Sequence, residues 1–138
     1  MVKISRRKSR EIAITLLYQS GLMGKDIDKI ILNQESLGED LDEFARKLAL
    51  GVYSKKKELD SIIEGVVKNW TLDRIAIIDL NILRVAIYEM YYIDDIPLKV
   101  SVDEAIEIAK VLGQKDDTPK FINGILGKIL SNMTSKSQ

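Results

Sequence analysis

The chain has 138 residues, 46% of them hydrophobic and 30% charged, with 21 basic and 21 acidic side chains and neither cysteine nor histidine. That composition fits one soluble globular domain over residues 1–138, and the two missing residue types exclude thiol nucleophiles, disulfides, Cys/His zinc sites and Ser-His-Asp triads. No window approaches the length of an apolar membrane span, and the opening MVKISRRKSR lacks the apolar core of a secretory signal, so the expected setting is the cytoplasm, away from membranes.

Apolar residues recur at helical spacing along almost the whole chain. The first helix is predicted from about Ser5 to Met23, closed by Gly24, with Ile12, Ala13, Leu16, Leu17 and Met23 as its apolar stripe. A second, carrying Ile27, Ile30, Ile31 and Gln34, ends near Gly38. Asp40 with Glu43 three residues on is the expected cap of a third helix through Phe44, Ala45, Leu48 and Val52. The pattern leaves open whether that helix runs past Ser54 into Leu59, Ile62, Ile63, Val66 and Val67 or breaks near Lys55.

Trp70 is read as a core anchor and Thr71 as the N-cap of the next helix, whose Ile75, Ile78, Ile82, Leu83, Ala86, Ile87 and Met90 are apolar around most of the circumference. Such a helix is buried at the centre of a bundle. Pro97 ends this stretch. Ser101 and Glu104 form an expected capping box for a helix closed by Gly113, and Thr118-Pro119 opens the last one, with Phe121, Ile122, Ile125, Leu126 and Ile129. Gly124 within that helix is read as a site of close helix packing. A lone β-branched run, Ile96 to Val102, has no strand to pair with. The expected fold is therefore all-α, a compact bundle of six or seven helices.

Zero net charge hides a polarity along the chain. Lys3, Arg6, Arg7, Lys8 and Arg10 stand in the first ten residues with no acid, while Asp26 to Glu43 holds seven acids against Lys29 and Asp79 to Glu107 holds seven against Arg84 and Lys99. One end suits a polyanion and the acidic stretches suit a basic protein. On a helical wheel Lys3, Arg7, Arg10 and Tyr18 share a stripe placed opposite Ile12 and Leu16, a pattern of guanidinium groups for phosphates and an aromatic face for an unstacked base. A plainer reading stands beside it: Arg7 pairs with Glu11, Tyr18 covers a surface hollow, and the basic start is a solvated tail. Adjacent acids such as Asp94-Asp95 and Asp116-Asp117 read as loop and cap residues. No catalytic, metal or cofactor site is expected, and Arg84 is expected to form a structural ion pair.

Taken in order, Arg6-Arg7-Lys8-Ser9-Arg10, Leu17-Tyr18, Trp70 to Ile75, Ile78-Asp79, Leu83 to Glu89, Ile96 to Val100, Asp103 to Lys110 and Lys120 to Leu126 span nearly the whole chain and resemble the NusB family of bacterial transcription antitermination factors. Leu80, where a basic residue is common, and Gly127, where an acid is frequent, depart from the pattern. The resemblance implies a non-enzymatic RNA-binding protein that pairs with the ribosomal protein NusE on boxA-type nascent RNA. The pair would join an RNA polymerase antitermination complex in ribosomal RNA operons. It puts RNA contacts on Arg6, Arg7, Lys8 and Arg10, with Lys3 as auxiliary, and on Asp117, Lys120 and Phe121; it puts partner contacts on Tyr18 and Asp79. Alternatives are the NusB-like domain of a ribosomal RNA methyltransferase, although no Gly-rich cofactor segment is present, and a protein–protein adaptor without RNA affinity. Whether a homodimer masks the basic stripe is left open.

Overall fold

The computed structural model describes residues 4–67 and 71–135. Among them are seven α-helices and no strand: α1 (Arg6–Met23), α2 (Ile27–Ser36), α3 (Glu43–Ser54), α4 (Lys56–Val66), α5 (Ile77–Tyr92), α6 (Leu98–Leu112) and α7 (Thr118–Ser135), with a 3-10 turn at Leu72–Arg74. The predicted Trp70 anchor lies outside the described residues.

α5 is the axle of the bundle and packs against α1, α3, α4, α6 and α7. Its sequence explains the position, since Leu80, Ile82, Leu83, Val85, Ala86, Ile87 and Met90 leave no polar face wide enough to meet water. α1 lies against α2, α3, α5 and α6, and α6 packs along α7. Leu16, Leu48, Leu59, Ile63, Leu83, Ile87, Ile122, Leu126 and Ile129 are buried in one continuous core. Each such side chain contributes about 1.5–3 kcal/mol by leaving water.

Helix ends follow the chain's punctuation in some places and not in others. Ser5 caps α1 by accepting the Lys8 N–H, and Gly24 closes it in the left-handed region at φ 64°, where a side chain would be strained. The stripe of α1 holds at Ala13, Leu16 and Leu17, but Met23, on the last turn, is exposed. The cap of α3 is Asp42 and not Asp40; its Oδ2 accepts from Ala45 N–H and from the Ser9 hydroxyl, which also ties α3 to α1. The open question at Lys55 resolves as a break between α3 and α4.

Thr71 heads the 3-10 turn, its hydroxyl bonded to Asp73, and α5 begins later, at Ile77. α6 begins at Leu98, directly after Pro97, so Ser101 is not a cap. Its hydroxyl is buried and donates to Glu89 at 3.0 Å, so the tertiary partner takes it from the local amides. Gly124 packs against nothing: a Cβ there would meet open space. The close approach is at Gly51, where a Cβ would overlap the Tyr88 ring. α7 runs unbroken past Gly127.

Candidate nucleic-acid interface

The first turn of α1 carries Arg6, Arg7 and Lys8, all exposed, and no acid. The free N–H groups at a helix start carry partial positive charge, so cations placed there add to a field that favours an anion. The Arg6 guanidinium lies over the Phe44 ring of α3, 4.4 Å from its centroid, and the residue is exposed. A cation over a ring face is attracted by the ring's quadrupole without using its N–H donors. Arg7 reaches α6, where its Nε donates to Glu104 Oε2 at 2.7 Å and its Nη2 to Oε1 at 3.1 Å. That hydrogen bond holds the Glu104 carboxyl below its usual range and raises Arg7 further. Lys8 stands 3.8 Å from Glu11. Lys3 lies outside the described residues.

Arg10 does not belong to this surface. Its side chain is 5% exposed, its Nε donates to Glu89 Oε2 at 2.7 Å and its Nη2 to Oε1 at 2.8 Å, and Ser101 completes the Glu89 carboxylate. Arg10 therefore ties α1 to α5 and α6 from inside the bundle, and cannot meet RNA while the fold is intact. The wheel explains the correction. Arg7 sits at the edge of the exposed arc, and a turn of about −60° from it to Arg10, or −20° to Ile14, crosses into the buried arc. Ile14 is buried too. Tyr18 falls on the other side, half-buried, on the arc shared with Glu11 and Thr15.

The second predicted group lies at the start of α7. Asp117 and Lys120 are exposed and Phe121 is half-buried. Phe121 lines a cleft of about 150 Å³ with Arg74, Lys115 and Asp117, and also an open groove of about 540 Å³ with Lys120 and Lys128. Asp79, predicted to face a protein partner, is buried under this cleft. Its Oδ1 accepts the Gln114 N–H at 3.0 Å and its Oδ2 the Thr118 hydroxyl at 3.2 Å, while Thr118 Oγ1 accepts the Lys115 N–H at 3.0 Å. Asp79 thus pins the connection before α7 to the start of α5 and does not offer its carboxylate to a partner. Asp79 precedes Glu89 by ten residues on α5, so this region lies about 15 Å along the helix from the Arg10 network.

Sequence reasoning missed Phe44 beneath Arg6 and named Glu11 where Glu104 is the partner of Arg7. It placed Arg84 correctly: its Nε and Nη2 take both oxygens of Asp60 at 2.7 and 2.9 Å. Among the described residues no group of three acids is placed to hold a metal, and no helix is long and apolar enough to cross a membrane.

The model of the NusB family matches residues 7–131. The chain belongs to the NusB family. The transcription antitermination protein NusB of Desulforamulus reducens is 44% identical over 133 residues, covering 94% of this chain and 92% of that one. The solved structure of T. maritima NusB superposes with a TM-score of 0.84 at 34% identity, covering 94% and 93% of the two chains. A crystal structure of the antitermination factors NusB and NusE in complex with dsRNA matches with a TM-score of 0.78 at 23% identity, over 92% of this chain and 96% of that one, a likeness of fold alone.

Proposed function

We propose that this NusB-family chain works in the cytoplasm, without catalysis, as a factor that binds boxA-type nascent RNA together with NusE and promotes ribosomal RNA transcription within an RNA polymerase antitermination complex. The observation that carries the RNA half is the acid-free first turn of α1. There Arg6 lies over the Phe44 ring at an exposed position, and Arg7 and Lys8 stand beside it. The NusE half is supported by family membership and by the NusE–dsRNA complex in which a protein of this fold takes part.

Arg6 needs little rearrangement to take a phosphate, because its ring contact and its donor edge are different surfaces. Arg7 must exchange Glu104 for the phosphate, a swap of one charge-assisted pair for another. Three such cations give modest affinity, with a slope in log K against log salt of about −2 for single strands. Sequence preference then depends on the surface that NusE adds. Fluorescence anisotropy with a boxA-like strand and a scrambled strand, at two salt concentrations and with or without NusE, tests the reading. Tighter, sequence-dependent binding in the presence of NusE is the expected result; equal or absent binding to both strands throughout would remove it.

A further inference from the structure

A second open groove, of about 490 Å³, runs between α1, the connection from α2 to α3, and the end of α6. Ile12, Leu16, Leu41 and Leu112 form its apolar floor, and Glu11, Glu39 and Asp40 stand on its rim with Lys8 as the lone cation. Glu39 and Asp40 are not consumed by the fold: among the described residues neither carboxylate has an ion pair or a side-chain hydrogen bond. Among the described residues the one ion pair of Glu11 is with Lys8, at 3.8 Å, and Arg7 lies near enough to feel its charge. The volume is that of a ligand pocket, and the rim repels nucleic acid and acidic lipid alike.

We propose that this groove docks a short basic segment of a partner protein, with an apolar side chain on the Ile12–Leu16–Leu41–Leu112 floor and Lys or Arg residues against Glu11, Glu39 and Asp40. Charge complementarity selects that occupant, since an apolar anchor alone would leave the rim carboxylates facing an uncharged neighbour. Lys8 joins the groove to the basic turn of α1, so a segment seated there lies beside the proposed RNA surface while using none of Arg6 or Arg7. The proposal stands whether or not the chain binds RNA.

The test uses the full chain and a fluorescein-labelled peptide of Lys and Arg residues surrounding a Leu-Lys-Lys-Ile core, read by anisotropy at moderate salt. Changing Leu and Ile to Ser at constant charge is expected to weaken binding about tenfold or more, the loss of one or two buried side chains. The double variant Glu39→Gln/Asp40→Asn, at exposed positions without partners, is expected to weaken it about fivefold with an unchanged melting temperature. No binding of the parent peptide, equal binding of the Ser peptide, or equal binding by the double variant would each overturn the proposal. So would sedimentation showing self-association that the double variant abolishes, because the occupant is then a second copy of this chain.

Discussion

Arg7 and Arg10 lie one turn apart on α1, and each makes a two-pronged pair with a glutamate of another helix at nearly the same distances. Their surroundings separate them. The Arg7 side chain is half exposed and opposite Glu104 at the surface, whereas Arg10 and Glu89 are both within 5% of full burial, with Ser101 closing the carboxylate. A surface pair is nearly neutral in stability and can exchange its carboxylate for a phosphate; the buried pair is closed to solvent, and Arg10 makes a further ion contact only through its Nη1, 4.0 Å from Glu104 Oε2 among the described residues. Identical chemistry thus yields an exposed, exchangeable cation at one position and a structural clamp at the next turn.

The largest effect expected from breaking this comparison is at Arg10. Arg10→Ala leaves Glu89 buried and uncompensated, a loss of about 3–5 kcal/mol that urea denaturation would read directly. The accompanying fall in Tm is about 10–15 °C for a chain of this size. Adding Glu89→Leu to Arg10→Met should recover much of it, because the charge is then removed with its partner. An Arg10→Ala protein with native stability would show that the buried network is not what joins α1 to α5. Arg7→Ala should leave the denaturation curve almost unmoved.

Asp79 resembles Arg10 more than it resembles a surface acid. Asp79→Ala removes the acceptor of the Gln114 N–H and of the Thr118 hydroxyl, at a cost of about 2 kcal/mol, and faster amide exchange at Gln114 and Thr118 should report the loosened start of α7. Unchanged exchange there would mean that the helix start holds without it. Any partner-binding defect in an Asp79 variant must be weighed against this loss.

Both residues show where the sequence stops being legible. Helix order, the burial of α5 and the break at Gly24 follow from periodicity and local chemistry, which a chain displays within a few residues of each position. The fates of Arg7, Arg10 and Asp79 depend on partners 97, 79 and 39 residues away. Local rules offered Glu11 for Arg7 and a capping role for Ser101, because neighbours in sequence are all they can see. In the sequence Phe44 shows only apolar bulk, and the packing of α3 on α1 is what puts its ring beneath Arg6. Arg84 was legible because a cation on a buried helix demands an acid, whichever acid that proves to be.

At the surface the comparison sharpens through function. The double variant Arg6→Ala/Arg7→Ala should lower RNA affinity by about tenfold at low salt and flatten the salt slope by about 1.4, with the melting temperature close to that of the parent. A drop in affinity with no change in slope would place the two cations away from the phosphates.

The smallest effect concerns the competition for Arg7. Glu104→Gln removes the carboxylate that occupies its fork, so RNA affinity should rise by about 1.5- to 5-fold, the worth of an exposed ion pair. The pH dependence has a fixed sign. Arg7 lowers the Glu104 carboxyl below its ordinary 4.5, so the pair's contribution is complete above that value and is lost only as the pH falls through the lowered one. The ratio of variant to parent affinity should therefore stay constant from pH 8 to pH 5, since neither Arg7 nor Glu104 changes charge across that interval. A ratio of one at neutral pH would show that Arg7 does not reach the RNA, leaving Arg6 and Lys8 as the cations that do.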